Sequence, residues 1–263
     1  MLTDPSNTDY DRDFRKPSID GNTALLRSAA AHAPTLKSIA ITGSINALTL
    51  GSPEENASTV YTDEVWNKLT LDDARKAQNP YVSYCMSKKE AEEAVWAYVK
   101  ESKPKYTVTV WLPAIILGPA LHPVKNLESL NFSTGVIYTL INKKNETVPP
   151  TPFPSYVDAR DLARAHVNSL TDPRAANKRL LIGGEPLSNT AIVEALNELS
   201  ETEIPELKGR LPAPSDEAKG LAYPQIKAEA GNAVAGPLRS AKETFGDAAK
   251  RLLELEKVLG VTV

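Results

Sequence analysis

Apolar residues recur at helical spacing in several stretches and gather into short unbroken runs in three others. The spacing predicts helices at 18–32, 81–102, near 128–142, 155–170, 188–199 and 240–260. The runs KSIAITGS (37–44), YTVTVWLPAIILGP (106–119) and RLLIGG (179–184) predict buried parallel strands, the second running into a loop. Residues 51–80 are polar and irregular and predict only short helical turns. Residues 200–237 are rich in proline, glycine and charge. Ser188 is placed to cap the helix that follows it, and Asp158 the helix over 155–170. Strands alternating with helices predict the α/β class.

The helix YVSYCMSKKEAEEAVWAYVKES (81–102) carries the first chemical signal. Its apolar stripe holds Tyr84, Ala91, Val95, Tyr98 and Val99, and Lys88 sits inside it. Tyr84 and Lys88 stand at i and i+4, so they share one helix face. An ammonium beside a phenol favours the phenolate and draws its pKa down from about 10. Such a tyrosine can pass a proton to or from a carbonyl or alcohol. With nine tyrosines in the chain, chance matches to this spacing are expected, and a second copy occurs at Tyr223 and Lys227 with Pro224 inside it. That copy reads as a loop or helix start. The first copy lies between two strands whose ends carry Ser44 and Leu112-Pro113-Ala114. In open α/β sheets, ligands bind at the carboxyl ends of the strands. Taken alone, Ser44 is an ordinary strand-end hydroxyl; the Tyr84–Lys88 helix forty residues on raises it to a candidate.

Composition narrows the partners. The net charge is −3 with no basic block, which argues against nucleic acid and anionic membrane. No apolar run approaches the roughly 20 residues that cross a bilayer. The start MLTDPSNTDYDRDF lacks a charged-then-apolar leader, so the cytoplasm is the expected compartment. Cys85 is the single cysteine, which excludes an internal disulfide, and it faces away from Tyr84 toward the core. His32, His122 and His166 are too scattered to suggest zinc.

The motifs ITGSINAL, YTDEVWN (61–67), NPYVSYCMSKKEAEEAVW, WLPAIILGP, SYVDARDLARAH and AKRLLELEK together resemble the extended short-chain dehydrogenase/reductases. Within these the chain is similar to the dihydroflavonol reductase-like group of fungal ketoreductases and aldehyde reductases, over nearly its whole length. The resemblance implies an NAD(P)H-dependent reduction of an aldehyde or ketone to an alcohol, with NADP favoured and NAD open. In it, Tyr84 gives the proton, Lys88 binds the nicotinamide ribose and lowers the tyrosine pKa, and Ser44 hydrogen-bonds the carbonyl oxygen. Pro113, Ala114, Ile115 and Ile116 would line the nicotinamide. Asn131, Ser133 and Thr134 fall where the family approaches substrate or cofactor. Asn46 and Thr49 are weaker candidates near the serine. Asp158, Arg160 and Asp161 read as caps and ion pairs.

The glycine-rich turn that holds the pyrophosphate in this family is not found, so cofactor binding is expected to be weak. The fold expected is an incomplete doubly wound, Rossmann-like parallel sheet with a smaller C-terminal substrate lobe. Residues 1–120 would be the remaining part of the dinucleotide-binding domain, and 121–263 the lobe, with 155–184 returning to the sheet. Three origins stay open: a truncated gene model, a degenerate non-catalytic remnant acting as a binding or partner protein, or a fold completed by a second chain. An epimerase is the same-fold alternative.

Overall fold

The computed structural model describes residues 9–151, 154–216 and 221–261. Residues 1–8, on which part of the leader reading rests, and 217–220, inside the proline- and glycine-rich stretch, lie outside them. After a π-helical turn at Tyr10–Arg15, the first half runs α1 (Lys16–His32), β1 (Ser38–Thr42), α2 (Pro53–Ser58), β2 (Val60–Tyr61), α3 (Leu71–Ala77), α4 (Pro80–Ser102), β3 (Thr107–Pro113) and β4 (Ile115–Leu117). The second runs α5 (Phe132–Ile141), β5 (Tyr156–Asp158), α6 (Ala159–Ser169), β6 (Lys178–Ile182), α7 (Asn189–Thr202), β7 (Gln225–Ile226), α8 (Glu229–Ala235) and α9 (Ala241–Leu259). The class is α/β with parallel strand pairs, as the alternation predicts.

The chain forms two compact units. The first comprises the residues up to Ala114, Arg164–Ile182 and Gln225–Gly236. Its sheet has the order β1-β3-β6, all parallel, with Thr42 opposite Trp111 and Pro113 opposite Ile182. The central strand β3 is buried from Val108 to Pro113. Leu26 of α1, Val95 of α4 and Tyr61 pack with Ile41, Val108, Val110 and Leu112 into one apolar core. The long helix α4 starts where Asn79 accepts from the Tyr81 and Val82 N–H groups, with Pro80 in the first turn. It stops at Lys103, which adopts a left-handed conformation at φ 43°.

The second unit comprises Ile115–Ala163, Gly183–Pro224 and the residues from Pro237 on. Helices α5, α7 and α9 enclose a core of Ile137, Leu140, Ile192, Leu196, Phe245 and Leu252. Its short sheet pairs β4 with β5 in parallel. Ser188 and a Ser240–Glu243 capping box start α7 and α9.

Two expectations are corrected. The stretch 155–170 is not one helix: Tyr156–Asp158 is a fully buried strand, and the helix begins at Ala159. Three buried residues leave no alternation to distinguish a strand from a helical turn. Asp158 still caps, accepting from the Arg160 N–H at 2.8 Å. The stretch after Ala114 is a strand rather than a loop, because β4 finds β5 as a partner. By compactness the first unit runs to Ala114 and takes in Arg164–Ile182.

Helix α8 lies against the β6 backbone, and glycine makes that contact possible. A Cβ on Gly231 would stand 1.9 Å from the Leu181 carbonyl oxygen, whereas one on Gly21 in α1 would meet nothing within 4 Å. Gly231→Ala is expected to destabilise the chain by about 1–3 kcal/mol through overpacking. Gly21→Ala should stabilise by about 0.5–1 kcal/mol. Urea titration of both variants checks this; an unchanged midpoint for Gly231→Ala would contradict the packing.

Candidate active site

The site is built from the carboxyl ends of parallel strands, which share one edge of the sheet. Beyond β1, the Gly43 N–H donates to the Trp111 carbonyl at 2.7 Å, extending the ladder by one residue. A Cβ at Gly43 would stand 2.9 Å from that oxygen and 3.0 Å from Val110 Cγ1, so the close approach requires glycine. Ser44 follows in an extended conformation and caps a 3-10 turn at Ile45–Ala47, its Oγ accepting from the Asn46 N–H at 3.2 Å. At the end of β3, Pro113 and Ala114 are buried, and the Ala114 N–H donates to the Ile182 carbonyl at 3.2 Å.

Helix α4 brings Tyr84 and Lys88 to this unit, both half-buried. The Ser44 hydroxyl lies beside the Tyr84 phenol and favours its ionised form. Lys88 Nζ stands 5.6 Å from the centroid of the Tyr84 ring. Among the described residues it has no hydrogen-bond acceptor and no acidic partner, and burial lowers its pKa. The sequence reading had the lysine drawing the tyrosine pKa down. Instead burial holds the Tyr84 phenol above its ordinary value, and the hydroxyl of Ser44 opposes the shift. Desolvation of the phenol outweighs an ammonium 5.6 Å from the ring centroid.

A buried polar network behind these residues was not legible in the motif. Asn46 Nδ2 donates to the Tyr81 hydroxyl at 2.8 Å and to Cys85 Sγ at 3.4 Å. Asn67 Nδ2 donates to the Asn46 carbonyl at 2.8 Å and to the Cys85 carbonyl at 3.3 Å. Lys89 Nζ donates to the Asn67 and Leu69 carbonyls. The stretch YTDEVWN is thereby tied to α4, and its Asp63, Val65 and Trp66 are tied to β6. Asp63 accepts from the Leu181 N–H at 2.6 Å, and the Arg179 guanidinium stacks 3.6 Å from the Trp66 ring centroid while pairing with buried Glu92 at 2.8 Å. Glu92 on an apolar helix face was the one sequence sign of this cluster, since a buried carboxylate needs a partner. Asn46 and Thr49, weak candidates in the sequence, both hold structure: Thr49 Oγ1 donates to the Tyr61 hydroxyl at 2.9 Å.

Ile115 and Ile116 belong to β4 in the second unit. That unit holds a cavity of ≈ 350 Å³ lined by Ile116, Gly118, His122, Asn131, Ser133 and Thr134 among others. Asp158, Arg160 and Asp161 are structural. Arg160 pairs with Asp158 at 2.7 Å and Asp247 at 2.6 Å, and Asp161 pairs with Arg239. The second Tyr-Lys copy is not helical, and the Lys227 N–H serves the Tyr61 carbonyl beside β7. Among the described residues no group of three or more His, Cys, Asp or Glu side chains could hold a metal ion, and no helix is long and apolar enough to cross a membrane.

No protein-family model matches the chain. It is 32% identical over 247 residues to a putative uncharacterized oxidoreductase of Schizosaccharomyces pombe, C513.07, covering 94% of this chain and 71% of that one. It is 31% identical over 252 residues to the ketoreductase azaE of Aspergillus niger, again covering 94% and 71%. The chain belongs to the extended short-chain dehydrogenase/reductases, in their dihydroflavonol reductase-like group. Against other fungal reductases of this family it spans 58% of the relative's length. The structure of yeast methylglyoxal/isovaleraldehyde reductase Gre2 complexed with NADPH superposes with a TM-score of 0.81 at 25% identity, covering 96% of this chain and 74% of that one.

The environment of Cys85 yields a direct check. The thiol is buried, and that burial pushes its pKa up to about 12. Because the thiolate is the reactive form, Cys85 is expected to ignore an aromatic disulfide reagent at pH 8 in the folded chain. It should react fully once the chain is denatured. Stoichiometric reaction of the native protein would contradict the burial.

Proposed function

We infer that the chain reduces an aldehyde or ketone to an alcohol with NADPH. The observation that carries this reading is the placement of Tyr84 beside the Ser44 hydroxyl, with Lys88, which finds no acceptor or acidic partner among the described residues, one helical turn along and 5.6 Å from the Tyr84 ring centroid. Among family members, one relative's name carries ketoreductase, and one solved relative holds NADPH.

The donors present fit a nicotinamide nucleotide. A half-buried ammonium leaves three N–H donors unmet, and a ribose diol offers acceptors to them. The cofactor, when bound, supplies the hydride. Tyr84 donates its proton to the carbonyl oxygen as that oxygen gains charge, a role suited to a phenol that burial keeps protonated. The Ser44 hydroxyl donates a second hydrogen bond to the same oxygen and orients it. Lys88 holds the ribose hydroxyls, and after proton transfer its charge steadies the phenolate. Pro113 and Ala114 present an apolar surface at the end of β3 and exclude water from one side of the site. The first unit is thus the dinucleotide-binding part, and the second, with its cavity, the substrate lobe. The substrate is a small carbonyl compound, and the compartment is the cytoplasm.

Substitutions separate these roles. Tyr84→Phe should abolish oxidation of NADPH by a panel of small aldehydes and aryl ketones. It should leave NADPH binding, followed by fluorescence, within a few-fold of the parent. Lys88→Met keeps the stem and removes the charge, and turnover should fall by about 10² to 10⁴. Its folding stability should stay level or rise, because an ammonium without a counter-charge is no longer buried. Lys227→Met is the control and should change nothing. Full turnover in Lys88→Met, or an equal loss in Lys227→Met, would overturn the assignment.

A further inference from the structure

The cavity of the second unit has a buried hydroxyl that the described residues leave unused. Thr134 lines the cavity and is 6% exposed. In a helix interior a threonine hydroxyl commonly donates to the carbonyl four residues back. Thr139 of α5 does so, to Gly135 at 2.8 Å. Thr134 stands in the first turn of α5, which begins at Phe132, so the residue four back, Leu130, lies outside the helix. The carbonyl three back, on Asn131, takes the Gly135 N–H at 2.8 Å, and the Asn131 side chain takes the Thr134 N–H at 3.0 Å. Among the described residues the Thr134 Oγ1 has no hydrogen-bond partner, and it is not one of the unpaired atoms sealed in the core, as those of Ser155 and Ser215 are. Its opening is therefore the cavity. Ser133, the other hydroxyl in the lining, is half-buried and within reach of solvent.

The rest of the lining decides what this hydroxyl can meet. Ile116, Leu117, Pro119, Ala120 and Ala159 form an apolar wall. Arg160 is the one fixed charge in the lining, and its guanidinium is spent: Nε and Nη2 donate to Asp158, and Nη1 to Asp247. His122 is exposed to solvent. A carboxylate entering the cavity would find no unpaired fixed cation, and burying it there is costly. A neutral oxygen is not penalised in this way, because the Thr134 hydroxyl can donate to it. We propose that Thr134 is a specificity-determining residue whose hydroxyl binds a second, neutral oxygen of the carbonyl substrate, carried by an ether, ester, hydroxyl or further carbonyl group on an otherwise apolar chain. At ≈ 350 Å³ the cavity lies toward the lower end of ligand pockets, which span roughly 300–1,000 Å³, so the chain it takes is short. The inference rests on this cavity belonging to the substrate lobe, as read above.

The test compares methyl ketones that have equal numbers of non-hydrogen atoms. One is butyl methyl ketone; the others are ethoxymethyl and methoxyethyl methyl ketone, in which an ether oxygen replaces one chain methylene. Dissociation constants are measured by ligand-observed NMR titration without NADPH. The chains compared are the parent, Thr134→Val, which keeps the shape and removes the hydroxyl, and Thr134→Ser, which keeps the hydroxyl. The affinity of at least one ether ketone relative to butyl methyl ketone should fall by about three- to tenfold from the parent to Thr134→Val and be retained in Thr134→Ser. The urea midpoint of Thr134→Val should stay level or rise, because a buried hydroxyl without a partner is removed. Absence of binding by every ketone, or an equal affinity ratio in the parent and Thr134→Val, would overturn the proposal. So would a lower urea midpoint in Thr134→Val, which would show the hydroxyl bonded within the fold. Turnover with NADPH separates this inference from the reduction itself. Reduction of every ketone with no preference altered by Thr134→Val would leave the reductase reading standing and this one overturned. An oxygen preference in binding that Thr134→Val removes, with no ketone reduced by the parent, would do the reverse.

Discussion

The bond from the Gly43 N–H to the Trp111 carbonyl, 2.7 Å long, is the constraint on which the site depends. It carries the ladder between β1 and β3 one residue past the strand proper, with no room for a Cβ. What comes next, Ser44, is therefore delivered at a fixed height above the sheet edge. Trp111 is itself immobile: it is fully buried, and its Nε1 donates to Ser169 Oγ at 3.2 Å. A serine on a free loop would have to be ordered when a ligand arrived. Here that ordering is settled during folding by backbone hydrogen bonds that the sheet already makes.

The helix that answers this strand end is held with similar economy. Asn67 ties the loop after β2 to both Asn46 and the Cys85 carbonyl, so the turn after Ser44 and the second turn of α4 share one partner. On the opposite side of the same loop, Trp66, Asp63, Arg179 and Glu92 form a charged cluster. Every charge in it is met: the guanidinium donates to Glu92 and to the Asp63 and Val65 carbonyls, and Asp63 accepts from the β6 backbone. Removing one member would leave its partner buried and unpaired, which costs more than the pair contributes. Lys88 stands apart, an ammonium half-buried over the Tyr84 ring and given no acceptor or acidic partner by the described residues. A structural charge is paired where it is buried; this one is left available.

Much of this was legible in the chain. The strands at 38–42, 107–113 and 178–182 follow from short apolar runs, and the start of α7 from Ser188. The juxtaposition of Ser44, Tyr84 and Lys88 followed from the rule that parallel strands present their carboxyl ends together. The misses have physical causes. Tyr156–Asp158 is too short and too completely buried to show a strand's alternation. The direction of the Tyr84 shift could not be read from the spacing to Lys88, because the sign depends on how deeply the phenol is buried, and spacing carries no depth. The Asn46–Tyr81–Cys85 network joins residues 35 and 39 positions apart, and hydrogen-bond direction within it depends on which groups can only accept.

The most direct test of the site is transfer of label to the product. The chain is incubated with NADPH deuterated at the reactive ring position and a small aldehyde, and the alcohol is analysed by mass spectrometry. The account requires an alcohol carrying one deuterium on the former carbonyl carbon, formed by the parent chain and lost in Gly43→Ala, where Ser44 is displaced while the fold persists. Label transferred equally well by Gly43→Ala, or an alcohol formed without label, would contradict it.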